Sequence, residues 1–253
     1  MAGRRILILG GTTEAVEVAQ RLNGIDSFEV ITSMAGVTRA PRLPAGKIRR
    51  GGFGGADGLT TYLRDQRIAA MIDATHPFAA QISRHAAEAA ATVGVPVLHL
   101  VRPVWRPQPG VIWHEVASPQ EAASWLNASK LADEASVFLT IGRTELMAFA
   151  DAHRLRYIAR SIEDPGLDII NVVDRMIMAR GPFTRENEQR FLLENDVVCL
   201  VAKNSGGDAS YPKIQAAREL GLPVVMIQRP PPPSGDSVHC VEDVVTWIQA
   251  MPR

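Results

Sequence analysis

His76 and Lys203 each follow a short apolar run. His76 lies in Asp73-Ala74-Thr75-His76-Pro77-Phe78 after residues 69–72, and Lys203 opens Lys203-Asn204-Ser205-Gly206-Gly207 after residues 197–202. Such runs are what a parallel strand buried on both faces looks like. Ligands of open parallel sheets bind beyond the carboxyl ends of the strands, so both clusters fall where a ligand would lie. An imidazole titrates near neutrality, and a lysine emerging from a buried strand fixes a cation in place. Either group could deliver a proton or hold an anion. Each has an ordinary alternative: a loop histidine bonded near a helix start, and a surface turn of Asn, Ser and Gly.

The anion chemistry is clearest at residues 6–15, ILILGGTTEA. Four aliphatic residues run into Gly10 and Gly11, then Thr12 and Thr13, then Glu14, which opens a helical pattern through Val16, Ala19 and Leu22. A strand turning sharply into a helix leaves N–H groups without partners at the positive end of the helix dipole. Glycines let a phosphate approach the backbone. Gly10, Gly11, Thr12, Thr13 and Glu14 therefore form a candidate cradle for a dinucleotide pyrophosphate. The spelling is not G-x-G-x-x-G, so the alternative of an ordinary strand-to-helix turn capped by a threonine stays open.

A second strand over residues 28–32 ends at Ser33, with Arg39 and Arg42 beyond it. In dinucleotide folds an acid at this place binds the ribose 2′-hydroxyl, whereas arginine accommodates a 2′-phosphate. The only acid nearby, Glu29, falls inside the strand, so Ser33 with Arg39 favours NADPH, unless both arginines are merely solvated. Gly51-Gly52-Phe53-Gly54-Gly55 has almost no side-chain bulk except one ring. A helical pattern follows at once, which suits a ligand passing over Gly52, Phe53 and Gly54 better than a flexible linker. Thr75, His76 and Pro77 close the same side.

Residues 137–145, VFLTIGRTE, echo residues 8–14 in their order of strand, glycine, threonine and glutamate, with Arg143 standing where Thr12 stands. If the halves are related, the second carries a fixed cation at a similar corner, suited to a carboxylate ligand; convergence of strand-to-helix corners is the alternative.

Composition narrows the classes. Lys+Arg and Asp+Glu both total 27, so no global field recruits nucleic acid or an anionic membrane, and anions need local clusters. Cys199 and Cys240 are the only cysteines, and Cys199 sits in VVCLV; reduced, buried thiols are expected, with no disulfide framework and no metal site. Without a signal-like segment or an apolar run long enough for a bilayer, a cytoplasmic protein is expected. Strand and helix patterns alternate along the chain, and the proline-rich stretch 102–110, RPVWRPQPG, interrupts them. The expectation is an α/β chain of two Rossmann-like domains, each a mostly parallel sheet with flanking helices. The first spans residues 1–105 and the second 106–253, where an amphipathic helix at 241–251 closes the second core.

Together these stretches resemble the precorrin-6A reductase family of cobalamin biosynthesis, nearly end to end. The resemblance is carried by ILGGTTEA, RRGGFGG (49–55), DATHPFA (73–79), RPVW (102–105), TIGR (140–143), RGPF (180–183), AKNSGG (202–207) and GLPVVMIQRP (221–230). Departures are Ala202, where the family often has threonine, and the GGTTEA spelling. The resemblance implies two Rossmann-like domains with a cleft between them, NADPH bound mainly by the first, and reduction of a macrocyclic double bond of precorrin-6A to give precorrin-6B. A relative acts on the cobalt-containing substrate, and the sequence does not separate the two.

Hydride transfer needs no protein nucleophile; positioning, electrostatics and exclusion of water are the protein's share. The tetrapyrrole substrate carries many carboxylates, so Arg143 and Lys203, with Asn204, Ser205 and Gly206, are the expected substrate contacts. Lys203, His76 or solvent supplies the proton. No nucleic acid or membrane partner is expected, and neighbouring pathway enzymes are the only protein partners suggested. Rival classes are a redox-sensing regulator using the same cofactor pocket, and a sugar-nucleotide epimerase or short-chain dehydrogenase. The latter needs Tyr-x-x-x-Lys, and Tyr211 with Lys213 has the wrong spacing.

Overall fold

The computed structural model describes residues 3–35, 43–152, 154–162, 166, 169 and 171–251. The chain divides into two compact units, Met1–Pro103 with Pro230–Arg253, and Val104–Arg229.

The first unit opens with β1 (Arg4–Leu9), α1 (Thr13–Asn23), β2 (Phe28–Met34), β3 (Lys47–Arg50), α2 (Gly55–Asp65), β4 (Ile68–Asp73), α3 (Ala80–Val93) and β5 (Val97–Leu100). The second contains β6 (Trp113–Val116), α4 (Pro119–Ala128), β7 (Ser136–Thr140), a 3-10 segment (Arg143–Phe149), β8 (Arg156–Ser161) and β9 (Arg175–Met178). It continues with α5 (Arg185–Glu194), β10 (Val197–Lys203), α6 (Pro212–Glu219) and β11 (Val224–Ile227). The chain then returns to the first unit with β12 (Asp236–Val238) and α7 (Val241–Ala250).

The unbroken apolar run of β1 has a direct physical cause. Ile6 and Ile8 pack on one face with Val18 and Leu22 of α1 and Val244 and Ile248 of α7. Leu7 and Leu9 pack on the other with Leu59 and Leu63 of α2 and Ala86 and Ala89 of α3. Two cores share one strand, and each fully buried aliphatic contributes about 1.5–3 kcal/mol.

The sheets run β12-β5-β4-β1-β2-β3 and β6-β11-β10-β7-β8-β9, and every strand pair among the described residues is parallel. Counted from its central strand, each sheet has the order 3-2-1-4-5-6 found in dinucleotide-binding folds. The echo between residues 8–14 and 137–145 is matched by topology, because β1 and β7 hold the same central place. The sixth strands differ in origin. The second sheet takes β6, from before its own central strand, and the first takes β12, from the far end of the chain.

The domain division thus differs from the expected one at the C-terminus: residues 230–253 belong to the first unit, not the second. Ser237 of β12 pairs with His99 of β5, and Val241, Val244 and Ile248 of α7 enter the β1–α1 core. An amphipathic period announces a helix without saying which sheet it covers. Two smaller differences accompany this. The corner after β7 leads into a 3-10 segment rather than an α-helix. Cys199 is buried, its thiol pushed up to about 12 by desolvation, but Cys240 is exposed just before α7.

Candidate functional site

At the carboxyl end of β1 the backbone is tied to both neighbours. Gly10 N–H donates to Ser33 O at the end of β2 (2.9 Å), and Ala74 N–H beyond β4 donates to Leu9 O (3.0 Å). A Cβ on Gly10 would stand 2.9 Å from Thr32 Cγ2, and Gly11 adopts φ +116°, open only to glycine at low cost. Thr12 caps α1, its Oγ1 accepting from Ala15 N–H (3.1 Å) while donating to Ala74 O (2.7 Å). Its side chain therefore fastens the corner rather than facing a ligand. Thr13 and Glu14 begin the helix, where N–H groups have no intrahelical acceptor. Glu14 pairs with Arg102 at 2.6 Å, which offsets its charge at the positive end of the helix dipole.

Across β2, the end of β3 carries Arg49. Its guanidinium donates through Nη1 to Ser33 Oγ (3.3 Å) and Gly51 O and through Nη2 to Gly52 O (2.8 Å). It lies over the ring of Phe53 at 3.8 Å. One side chain thereby sets the path of the glycine loop. The first turn of α2 presses on the same loop: a Cβ on Gly58 would fall 1.7 Å from Phe53 O.

The end of β4 is fixed by a buried network. Asp73 Oδ2 lies 2.9 Å from Nδ1 of His99, and Asp73 Oδ1 accepts from Thr75 Oγ1–H (2.7 Å) and Thr75 N–H (3.2 Å). Burial pushes the Asp73 carboxyl up, but hydrogen bonds from His99, Ser83 and Thr75 outweigh it and hold the group below its ordinary value. Next along, Phe78 N–H donates to His76 Nδ1 (3.3 Å), so a neutral His76 carries its proton on Nε2.

These strand ends enclose a cavity of about 400 Å³. Of the residues expected at a cofactor site, Gly10, Gly11, Ser33, Gly52, Phe53, Gly54, Thr75 and His76 line it together, and Thr12, Thr13, Glu14 and Pro77 do not. Arg39 lies outside the described residues. A Cβ built on Gly11, Gly51, Gly52, Gly54 or Gly55 meets no atom within 4 Å, so open space stands beside the backbone on both sides of the cavity. Such walls admit a flat or phosphorylated ligand against main-chain N–H groups.

In the second unit the matching corner lies between β7 and β10. Lys203 Nζ is 2.8 and 2.9 Å from the two oxygens of Glu145, whose Oε2 also accepts from Gly142 N–H (2.8 Å). The ion pair joins the two strand ends as the Thr12–Ala74 bond does in the first unit. Arg143 is exposed at the start of the 3-10 segment. Asn204 is buried, its amide exchanging 2.9 Å bonds with N and O of Trp105. Ser205 bonds Ser210 Oγ (3.1 Å), and Gly206 takes φ +69°. Asn204 and Ser205 thus build the turn, while Lys203 and Arg143 carry its charge.

Sequence reasoning assigned no role to Arg49, to His99 or to Lys213. Arg49 stood in an otherwise ordinary edge strand. His99 is a histidine inside an apolar strand beside one ending in aspartate, a signal that could have been read. Lys213 lies 5.8 Å from the Trp105 ring, and burial pushes its ammonium down to about 8. Among the described residues no three His, Cys, Asp or Glu side chains group as metal ligands, and no helix is long and apolar enough to cross a membrane.

The family model described as Precorrin-6x reductase CbiJ/CobK matches residues 5–249. A precorrin-6A reductase of Rhodococcus erythropolis is 44% identical over 98% of this chain and 99% of its own. A cobalt-precorrin-6A reductase of Priestia megaterium is 28% identical over 95% and 96%. The solved structure of a CobK precorrin-6A reductase superposes with a TM-score of 0.89 at 38% identity, covering 97% of this chain and 96% of that one. With its doubly wound sheets, its glycine-walled cavity and a match along nearly its whole length, the chain belongs to the precorrin-6x reductase CbiJ/CobK family.

Proposed function

We propose that this chain reduces a double bond of precorrin-6A with NADPH, giving precorrin-6B, as a step of cobalamin biosynthesis. The observation that carries the reading is the glycine-walled cavity at the switch point between β1 and β4, with the start of α1 at one end and Ser33 at the other. The residues present fit a phosphorylated dinucleotide, since the helix start supplies N–H donors and the glycines leave room for a ligand. When bound, NADPH supplies a hydride to the conjugated ring.

The chain's own residues do the rest. Gly10 and Gly11, with the main-chain N–H groups at the start of α1, hold the pyrophosphate, Arg102 neutralises Glu14, and Ser33 and Arg39 take the adenosine end. Thr75 shapes the nicotinamide side and excludes water, while Gly52, Phe53 and Gly54 wall the adenosine end beside Ser33. His76 presents an Nε2–H donor at the cavity wall, and the proton for the carbon next to the reduced one comes from solvent. Lys203 and Arg143 orient substrate carboxylates, while Asn204, Ser205 and Gly206 fix the turn that presents Lys203. The metal-free substrate is favoured over the cobalt form because the relatives named for precorrin-6A are the more similar.

Incubation with precorrin-6A or cobalt-precorrin-6A and NADPH, following cofactor absorbance and product mass, tests this. Oxidation of NADPH with a gain of two hydrogens in the metal-free macrocycle is expected. Absence of turnover on precorrin-6A removes the reading, and faster turnover of the cobalt form reverses the substrate assignment.

A further inference from the structure

We propose that a cavity between α4 and the edge strand β6 is a second ligand site, one that takes a small planar ring carrying a carboxylate. The assignment rests on the second unit alone and does not depend on the reduction proposed above.

The cavity measures about 430 Å³, and its lining includes Ile112, His114, Trp125, Lys130, Leu131 and Pro223. It lies where β6 and β11 begin and α4 ends, the opposite edge of the sheet from Lys203 and Arg143. The chain itself fixes the walls. The rings of His114 and Trp125 stand 4.4 Å apart between centroids, inclined by 38°. Arg154 holds the turn after α4, donating through Nη1 to Leu131 O and through Nη2 to Leu126 O (3.0 Å) and Ser129 O (3.2 Å). A pocket shaped before its ligand arrives loses little entropy on binding.

The lining also selects a chemistry. Ile112 is 50% exposed, an apolar side chain left in water at a sheet edge. With Leu131, Pro223 and the aromatic pair it offers a surface that a flat ring would cover. Among the described residues, neither the Lys130 ammonium nor the His114 imidazole has a hydrogen bond or an ion pair. Both can donate to an oxygen, and an ammonium bordering an apolar wall favours a carboxylate over a neutral group. A volume toward the small end of ligand pockets suits a compact ring and not a macrocycle. The other reading is a dent between a helix end and a sheet edge, where rings adhere by apolar contact alone. That reading has no use for Lys130, which separates the two.

Calorimetric titration of the full chain with 1-naphthoate, and with 1-naphthamide as its neutral match, tests the proposal. The carboxylate is expected to bind with a dissociation constant of about 1 mM or below, and to do so equally with NADP+ present. The amide is expected to bind about 10-fold more weakly. Lys130→Gln should erase that difference without changing the affinity for the amide. Trp125→Ala should lose both ligands, while Trp125→Phe, which keeps a ring in the wall, should retain them and guards against a variant that fails to fold. Equal affinity for carboxylate and amide in the wild type, displacement of naphthoate by NADP+, or no saturable binding overturns the assignment. Self-association lost in Trp125→Ala, in place of naphthoate binding, would give the cavity to a second copy of the chain and overturn it as well.

Discussion

His99 Nδ1 lies 2.9 Å from Asp73 Oδ2, and the two side chains are 1% and 3% exposed. They are register partners on adjacent strands, and the other oxygen of Asp73 anchors Thr75, which lines the cavity. Replacing Asp73 with asparagine keeps the volume and removes the charge that these donors face. A loss of about 2 kcal/mol is expected, within the range for hydrogen bonds to charged groups. The pH dependence has a definite sign. The folded state holds this carboxyl below its ordinary value, so its stabilisation is fully present above the unfolded value and is lost as pH falls through the folded one. Urea midpoints of wild type and Asp73→Asn should therefore differ near neutrality and converge in acid. A difference independent of pH would show that the carboxylate charge is not what stabilises this strand end.

Gly11 isolates backbone geometry from packing. A Cβ there meets nothing within 4 Å, yet φ is +116°. Gly11→Ala should therefore cost about 1–3 kcal/mol through strain alone. If the backbone relaxes to relieve that strain, the corner shifts and NADPH affinity falls with it. Thermal melts and cofactor titration of the same variant check both effects. An alanine variant with unchanged melting and unchanged affinity would mean that the corner tolerates another conformation and does not position the ligand.

The central strands were legible because both of their faces are buried, which writes an unbroken apolar run into the sequence. Strand-end clusters such as Thr75-His76 and Lys203-Asn204 were legible for the same reason, since polarity begins where cover ends. Pairings distant in sequence left no such mark. Nothing in Asp236-Ser237-Val238 says that it completes the first sheet beside His99, and nothing in Lys47-Ile48-Arg49-Arg50 says that one arginine will lie on Phe53. Polarity at a strand end does not by itself mark a ligand contact. Thr12 and Asn204 turn inward because a corner must satisfy its own backbone before it can present anything.

Lys213 offers a test of electrostatics in the second unit. Desolvation pushes it down to about 8, helped by Arg160 and opposed by Glu188. The unfolded chain then binds more protons than the folded one between that value and the ordinary lysine value of about 10.4, so this group makes stability rise with pH across that window. Lys213→Met should be more stable than wild type at neutral pH, by about 1 kcal/mol, with the gain disappearing as both states of wild type lose the charge. Chemical denaturation at a series of alkaline pH values measures this. A destabilised Lys213→Met at neutral pH would mean that attraction to Glu188 exceeds the burial cost.

The ion pair between Lys203 and Glu145 separates binding of substrate from binding of cofactor. Glu145 places the ammonium through both of its oxygens while its Oε2 also holds the Gly142 N–H. If Lys203 orients substrate carboxylates, Lys203→Ala should lower kcat/KM for precorrin-6A by about 10- to 100-fold, the loss of one charge-assisted contact, and leave NADPH affinity unchanged. Glu145→Gln should have a smaller effect of the same kind, because the cation stays but its position is less fixed. Steady-state kinetics in precorrin-6A, beside titration of NADPH alone, measures the two quantities separately. Equal losses in turnover and in NADPH binding would place Lys203 in the general stability of its unit. A Glu145→Gln effect larger than that of Lys203→Ala would shift the role from the cation to the corner that Glu145 closes.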